Sequence, residues 1–126
     1  MNPYLMVAIG GALGSVARYG TGALVGKAWN APFPLATMLI NIAGSLAMGL
    51  FIGYLARATP SWQADARLFV AVGIFGGFTT FSSFSLDAIA MLERGDVAQA
   101  LFYVIGSVAI GLAALYGGLV LMRAGA

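Results

Sequence analysis

Residues 73–87, Gly73 to Asp87, read GIFGGFTTFSSFSLD and lie in the middle of the third of four apolar segments. An inert membrane anchor would be built from Leu, Ile and Val. This stretch instead carries the pair Gly76–Gly77, the pair Thr79–Thr80, and Ser82, Ser83 and Ser85. Phe78, Phe81 and Phe84 recur every third residue, so Phe81 and Phe84 face the same way one turn apart. Each half of the segment, Arg67 to Ile74 and Phe81 to Met91, is shorter than the roughly 20 residues a span requires. The segment therefore crosses only if its polar centre, residues 76–80, stays inside the membrane. A straight helix is compatible with this if the hydroxyls bond back to the preceding turn. The reading adopted is a break, which glycine pairs and hydroxyl residues permit when the freed carbonyls meet protein, water or an ion. Discontinuous membrane helices set such carbonyls beside monovalent cations, so a Na⁺-sized site is expected there.

The rest of the chain agrees with a membrane setting. Of 126 residues, 61% are hydrophobic and 8% charged, with a mean hydropathy of +0.96, against roughly 25% charged in a soluble domain. The expectation is one integral membrane domain over residues 1–126, all α-helical, with helices at about 4–27, 35–56, 66–91 and 98–121. There is no cysteine and no histidine, which excludes disulfides, thiolate chemistry and the usual soft-metal ligands. The net charge of +2 is spread over segment ends and carries no nucleic-acid signature. The N-terminus lacks the basic region and cleavage pattern of a signal peptide, so segment one reads as a retained helix.

Polar and small residues recur four apart on the other segments. Gly10, Gly14, Gly22 and Gly26 mark one face of segment one, with Arg18 in the missing place; the glycines suit close helix packing. Arg18, about 20 Å along the helix, either snorkels to the far interface or lines an internal wet surface. Thr37, Asn41 and Ser45 form a polar stripe on segment two, continued by Gly49 and Gly53. The Asn41 amide is costly in hydrocarbon if unpaired, so it either bonds to a neighbouring helix or donates to something passing. Tyr103, Ser107 and Gly111 repeat the pattern on segment four.

Charge placement gives little orientation. Arg57, Arg67 and Arg123 fall on one side and Lys27 and Arg94 on the other, a weak bias. Two copies of opposite orientation could then pair about an axis in the membrane plane. Four helices are too few to pack together and also enclose a selective pore, so a pathway is expected where two copies meet. No acidic residue falls in the central portion of any segment, Asp87 being the nearest. This argues against a proton-coupled cation exporter, which usually needs a carboxylate within the membrane. The available groups are donors, namely Asn41, Thr37, Ser45, Thr79, Thr80, Ser82, Ser83, Ser107, Tyr103 and Arg18, together with the positive ring edges of phenylalanines. Such groups suit a small, hard anion, offsetting its dehydration without trapping it on a fixed charge. A membrane assembly protein whose stripes are only hydrogen-bonded seams remains the bland alternative.

These residues resemble the Fluc family, also called CrcB, of fluoride channels. The likeness runs over essentially the whole chain: the glycine-rich first helix with Arg18, ATMLINIAGS around Asn41, and GGFTTFSSFS, the most specific of the three. Ser83 stands where Thr is common in the family. The resemblance implies a passive fluoride-selective channel, not an enzyme, exporting F⁻ from a bacterial cell and lodged in its inner membrane. It implies an antiparallel, dual-topology homodimer of four-span subunits with a broken third helix. It implies a structural Na⁺ at the dimer centre, held by backbone carbonyls of Gly76 and Thr79. Phe81 and Phe84 match the paired phenylalanines of the ion path and Asn41 its amide. Thr80, Ser82 and Ser83 match the polar track beside them. Tyr103 and Ser107 match the fourth-helix pathway residues, and Arg18 the vestibule arginine.

Overall fold

The computed structural model describes residues 1–125, and every regular element among them is helical. The first helix, α1, covers Pro3–Ala28. Asn2 caps it by accepting the Tyr4 N–H at 2.7 Å, with Pro3 in the first turn and Lys27 in the last, each the residue type that helix ends favour. A proline-bearing loop leads to α2, Leu35–Ala58, which ends at Thr59 in the left-handed conformation, with φ of 43°. The third segment begins with α3, Gln63–Ala66, continues as a π-helix over Arg67–Phe75, and closes with α4, the single turn Gly76–Phe78. Its second half is α5, Ser82–Glu93. A tight turn containing Gly95, with φ of +86°, then opens α6, Val97–Ala124.

Leu35–Ala58, Gln63–Glu93 and Val97–Ala124 are each long and apolar enough to cross a membrane. Only 22%, 11% and 17% of their apolar windows are buried within the chain, so most of that surface must meet lipid or another protein. The 26 residues of α1 span about 39 Å at 1.5 Å per residue, more than a ~30 Å hydrocarbon core. Its glycines and Arg18 make it less apolar than the other three.

Two pairings hold the helices together, α2 with α6 and α1 with the first half of the third segment. Both rest on glycine. A Cβ on Gly10 or Gly14 would run into the Phe69 and Ile74 carbonyls, and one on Gly77 would lie 2.6 Å from the Gly11 carbonyl. At the other pairing, a Cβ on Gly49 would strike the Leu115 carbonyl, and one on Gly118 would lie 2.7 Å from the Leu50 nitrogen. The face marked by Gly10, Gly14, Gly22 and Gly26 divides at Arg18. Its first two members are buried against the third segment, whereas Gly22 and Gly26 have open space beside them.

The break takes up the last part of the expected 76–80 stretch and runs one residue beyond it. Gly76–Phe78 is helical, and the chain leaves the helix at Thr79, where ψ is 161°, regaining it at Ser82. Contacts explain the shift. Gly73 and Gly77 lie against the α1 backbone in helical register, and the Thr79 hydroxyl donates to the Phe75 carbonyl at 3.0 Å, closing the final turn. Back-bonding of hydroxyls thus occurs alongside the break, at Thr79 and again where Ser85 donates to the Phe81 carbonyl at 3.0 Å.

Candidate ion pathway at the helix break

Thr80 is the centre of the interruption. Its N–H donates to Asn41 Oδ1 at 2.8 Å, and its carbonyl accepts from Asn41 Nδ2 at 3.0 Å. One carboxamide from α2 therefore satisfies both backbone groups of an unwound residue, which an apolar surrounding would otherwise penalise. Asn41 makes the interhelical bond, and one of its two Nδ2 hydrogens remains to donate elsewhere. Arg18 performs a related task from α1. Its Nε donates to the Gly77 carbonyl at 3.2 Å, replacing the N–H that a continuing helix would have supplied. Arg18 Nε thus turns inward to the break. On the far side of the break, the Ser83 N–H donates to Thr80 Oγ1 at 3.2 Å and secures the start of α5.

Two cavities adjoin this junction. The first, about 310 Å³, is lined by Asn41, Gly44, Ser45, Met48, Thr79, Thr80, Phe81, Phe84 and Ser107, with Val108 and Leu115. The second, about 400 Å³, is lined by Arg18, Tyr19, Gly22, Ala23, Ala36, Thr37, Ile40, Thr80 and Ser83. Neither wall carries a carboxylate. The Phe81 and Phe84 rings lie 6.0 Å apart, and Phe84 packs on Tyr103 at 5.0 Å. Phe81 is 79% exposed, unusual for a large ring beside a cavity. The Ser107 hydroxyl is buried with no hydrogen-bond partner among the described residues.

The residues singled out from the sequence do not all fall together. Asn41, Thr79, Thr80, Phe81, Phe84 and Ser107 gather at the first cavity, and Arg18, Thr37, Thr80 and Ser83 at the second. Ser82 is exposed, outside both. Tyr103 is fully buried behind Phe84, and its hydroxyl donates to Asp87 Oδ2 at 3.0 Å. A phenol has one proton to give, so Tyr103 is not the free donor expected of it. Gly76 is exposed on the surface of the chain. Its carbonyl lacks the Thr80 N–H that would close a helical turn, because Asn41 takes that group.

Gly44, Met48 and Tyr19 also line the two cavities. Gly44, Ser45 and Met48 follow Asn41 by three, four and seven residues, the spacing of one helical face. Gly44 is small because Thr79 Cγ2 and the Phe78 ring occupy the space of a Cβ.

A family model described as CrcB-like protein, Camphor Resistance (CrcB), matches residues 5–119. The chain belongs to the CrcB family. Among its relatives, a protein of Rhodopseudomonas palustris (strain BisB5) is 49% identical over 121 residues, covering 96% of this chain and 97% of its own. One from Paracoccus denitrificans (strain Pd 1222) is 50% identical over 122 residues, with coverages of 97% and 95%. One from Thermus thermophilus is 49% identical over 112 residues, with coverages of 89% and 88%. All three bear the name fluoride-specific ion channel FluC. With its apolar helices, this CrcB-family chain is an all-helical membrane protein.

Proposed function

We propose that the chain is a passive, fluoride-selective anion channel that lets F⁻ leave the cytoplasm and so protects against fluoride toxicity. The observation that carries an anion path is the cavity at the break, walled by neutral donors and phenylalanine rings with no carboxylate. Fluoride as the anion draws on the name shared by relatives that match nearly end to end. A small hard ion loses strongly held water on entry. The spare Asn41 hydrogen, the Ser45 and Ser107 hydroxyls and the ring edges of Phe81 and Phe84 offset that loss. None holds a full positive charge, so the ion is not trapped. Arg18 supplies that charge one cavity away, where it draws anions in. No covalent bond is made or broken, and no residue is catalytic.

The working unit is an antiparallel, dual-topology homodimer of four-span subunits in the bacterial cell membrane. Its support is the outward face of the break. Gly76 and the 79% exposed Phe81 both lie on the protomer surface, and a second inverted copy would cover them. The carbonyls of Gly76 and Thr79 fit a Na⁺ at the centre of such a dimer. That of Gly76 is freed by the Asn41–Thr80 bond, and Thr79 is extended. Carbonyl oxygen suits a hard monovalent cation, and two per chain would need the second copy to complete the set. When bound, the ion would supply a fixed positive charge that holds the two breaks together.

The direct test is purified protein in fluoride-loaded liposomes monitored with a fluoride electrode. Efflux well above protein-free vesicles is expected, and no such efflux would remove the channel reading.

A further inference from the structure

The cavity walled by Phe81 and Phe84 depends on which part of a ring an ion meets. An aromatic edge attracts an anion and the face repels it, so a quarter-turn of Phe84 about its own axis would reverse the sign of its contribution. Phe81 offers little hold against that turn, since it is 79% exposed and its ring centroid lies 6.0 Å from that of Phe84. Tyr103 offers more. It has no exposed surface and packs on Phe84 at 5.0 Å, with 41° between the planes, and its hydroxyl donates to Asp87 Oδ2 at 3.0 Å. Resting on the channel reading above, we infer that Asp87 is a positioning residue for the anion path, fixing through Tyr103 the orientation in which Phe84 is presented to the ion.

The placement supports each step. Phe84 and Asp87 are three apart on α5 and so lie one turn apart on the same face. Tyr103 comes to that face from α6, its ring against Phe84 and its hydroxyl against Asp87. One turn of α5 therefore holds the tyrosine at two points. A hydroxyl bonded to a carboxylate is also among the stronger hydrogen bonds. A third hold comes from Phe33, which meets the Tyr103 ring edge-on at 5.6 Å and 88°. Phe33 is itself pinned, because its carbonyl accepts both Trp29 Nε1 and the Leu35 N–H at 2.8 Å.

Neither Asp87 nor Phe33 lines the phenylalanine cavity or the one that holds Arg18. A carboxylate on the path would repel the anion. Bonded to the phenol and outside both walls, this one acts on the ring and not on the ion.

The test measures fluoride efflux from liposomes and the fluoride-to-chloride preference, per unit of folded protein, for Tyr103→Phe, Asp87→Ala and Asp87→Asn. Tyr103→Phe keeps the ring and deletes one hydroxyl. Loss of the bond predicts efflux about fivefold slower in Tyr103→Phe and in Asp87→Ala, with a lower preference for fluoride. Their double variant should be no slower than either, since both break the same bond. Asparagine still accepts the phenol proton and should return most of the rate and of the preference. The sharpest comparison uses Phe84→Ile, which has no ring to orient. In that background Tyr103→Phe should change efflux by less than about twofold. Asp87→Ala takes the place of Tyr103→Phe there if the latter fails to elute as the unmodified protein does. Efflux and preference unchanged in Tyr103→Phe, with only a lower unfolding temperature, would overturn this inference alone. So would a loss that persists undiminished without the Phe84 ring, or an Asp87→Asn variant as slow as Asp87→Ala, which would make the charge and not the bond the active feature. Silent vesicles with the unmodified chain would instead overturn the channel reading, and this inference with it.

Discussion

The seam between α2 and α6 and the break in the third segment are made from similar small residues, yet they do different things. At the seam, Gly49 and Gly118 let two unbroken helices meet backbone to backbone. At the break, Gly73 and Gly77 do the same against α1, but just beyond Phe78 the helix stops. What differs is the polar side chains nearby. Asn41 takes both backbone groups of Thr80 and Arg18 takes the Gly77 carbonyl, so leaving the helix costs little there. Glycine provides closeness in both places; the carboxamide and the guanidinium convert closeness into an opening. Substitutions at the break should thus change conduction more than stability, and substitutions at the seam the reverse.

The largest effect on conduction is expected from Asn41→Asp. The carboxylate still accepts from the Thr80 N–H, but it faces the Thr80 carbonyl without a proton to donate and puts negative charge on the anion's route. Efflux should fall by about a hundredfold or more, the equivalent of ~2.7 kcal/mol, with elution of the solubilised protein unchanged. Retained efflux would reduce Asn41 to a structural bond. Next come Phe81→Ile and Phe84→Ile, which keep bulk and remove the ring edges. A loss of about tenfold is expected from each, in line with ~1.4 kcal/mol of lost ion stabilisation. Unchanged flux in both would take the rings out of the pathway.

Arg18→Ala should be milder. Removing a charge that attracts anions slows entry by several-fold, on the order of 1 kcal/mol, and lowers the fluoride-to-chloride preference little. The rate should recover as fluoride is raised. A large change in that preference would move Arg18 into the filter. The smallest conduction effect belongs to Gly118→Ala at the seam. Overpacking predicts a loss of about 1–3 kcal/mol of stability, read as a lower unfolding temperature, while efflux per unit of folded protein stays level. A drop in efflux per unit of folded protein as steep as that of the break variants would dissolve the distinction between the two regions.

Much of this was legible in residue order. Spacing of four brought Asn41 and Ser45 onto one face and Tyr103 and Ser107 onto another, and the polarity of residues 76–85 marked an interruption. Its bounding residues were not legible, because Gly76–Gly77 looks like a hinge until α1 is seen pressed against it. A glycine pair permits unwinding but does not require it, and tertiary contact chose the helical state. Direction was equally hidden for Arg18 and Tyr103. Sequence can state that a guanidinium or a phenol is present, but not that one donates to the Gly77 carbonyl and the other to Asp87. Ser82 and Ser83 are adjacent and chemically identical. Only the fold separates the one that lines a cavity from the one that faces outward.

The central claim is selective passive conduction, and a reversal potential measures it most directly. A planar bilayer holding the purified protein, with sodium fluoride on one side and sodium chloride on the other, should carry a current. That current should reverse far toward the fluoride equilibrium potential and be unaffected by a pH difference. A reversal near zero, indicating similar passage of chloride, would contradict the account, as would fluoride movement without current that follows the proton gradient.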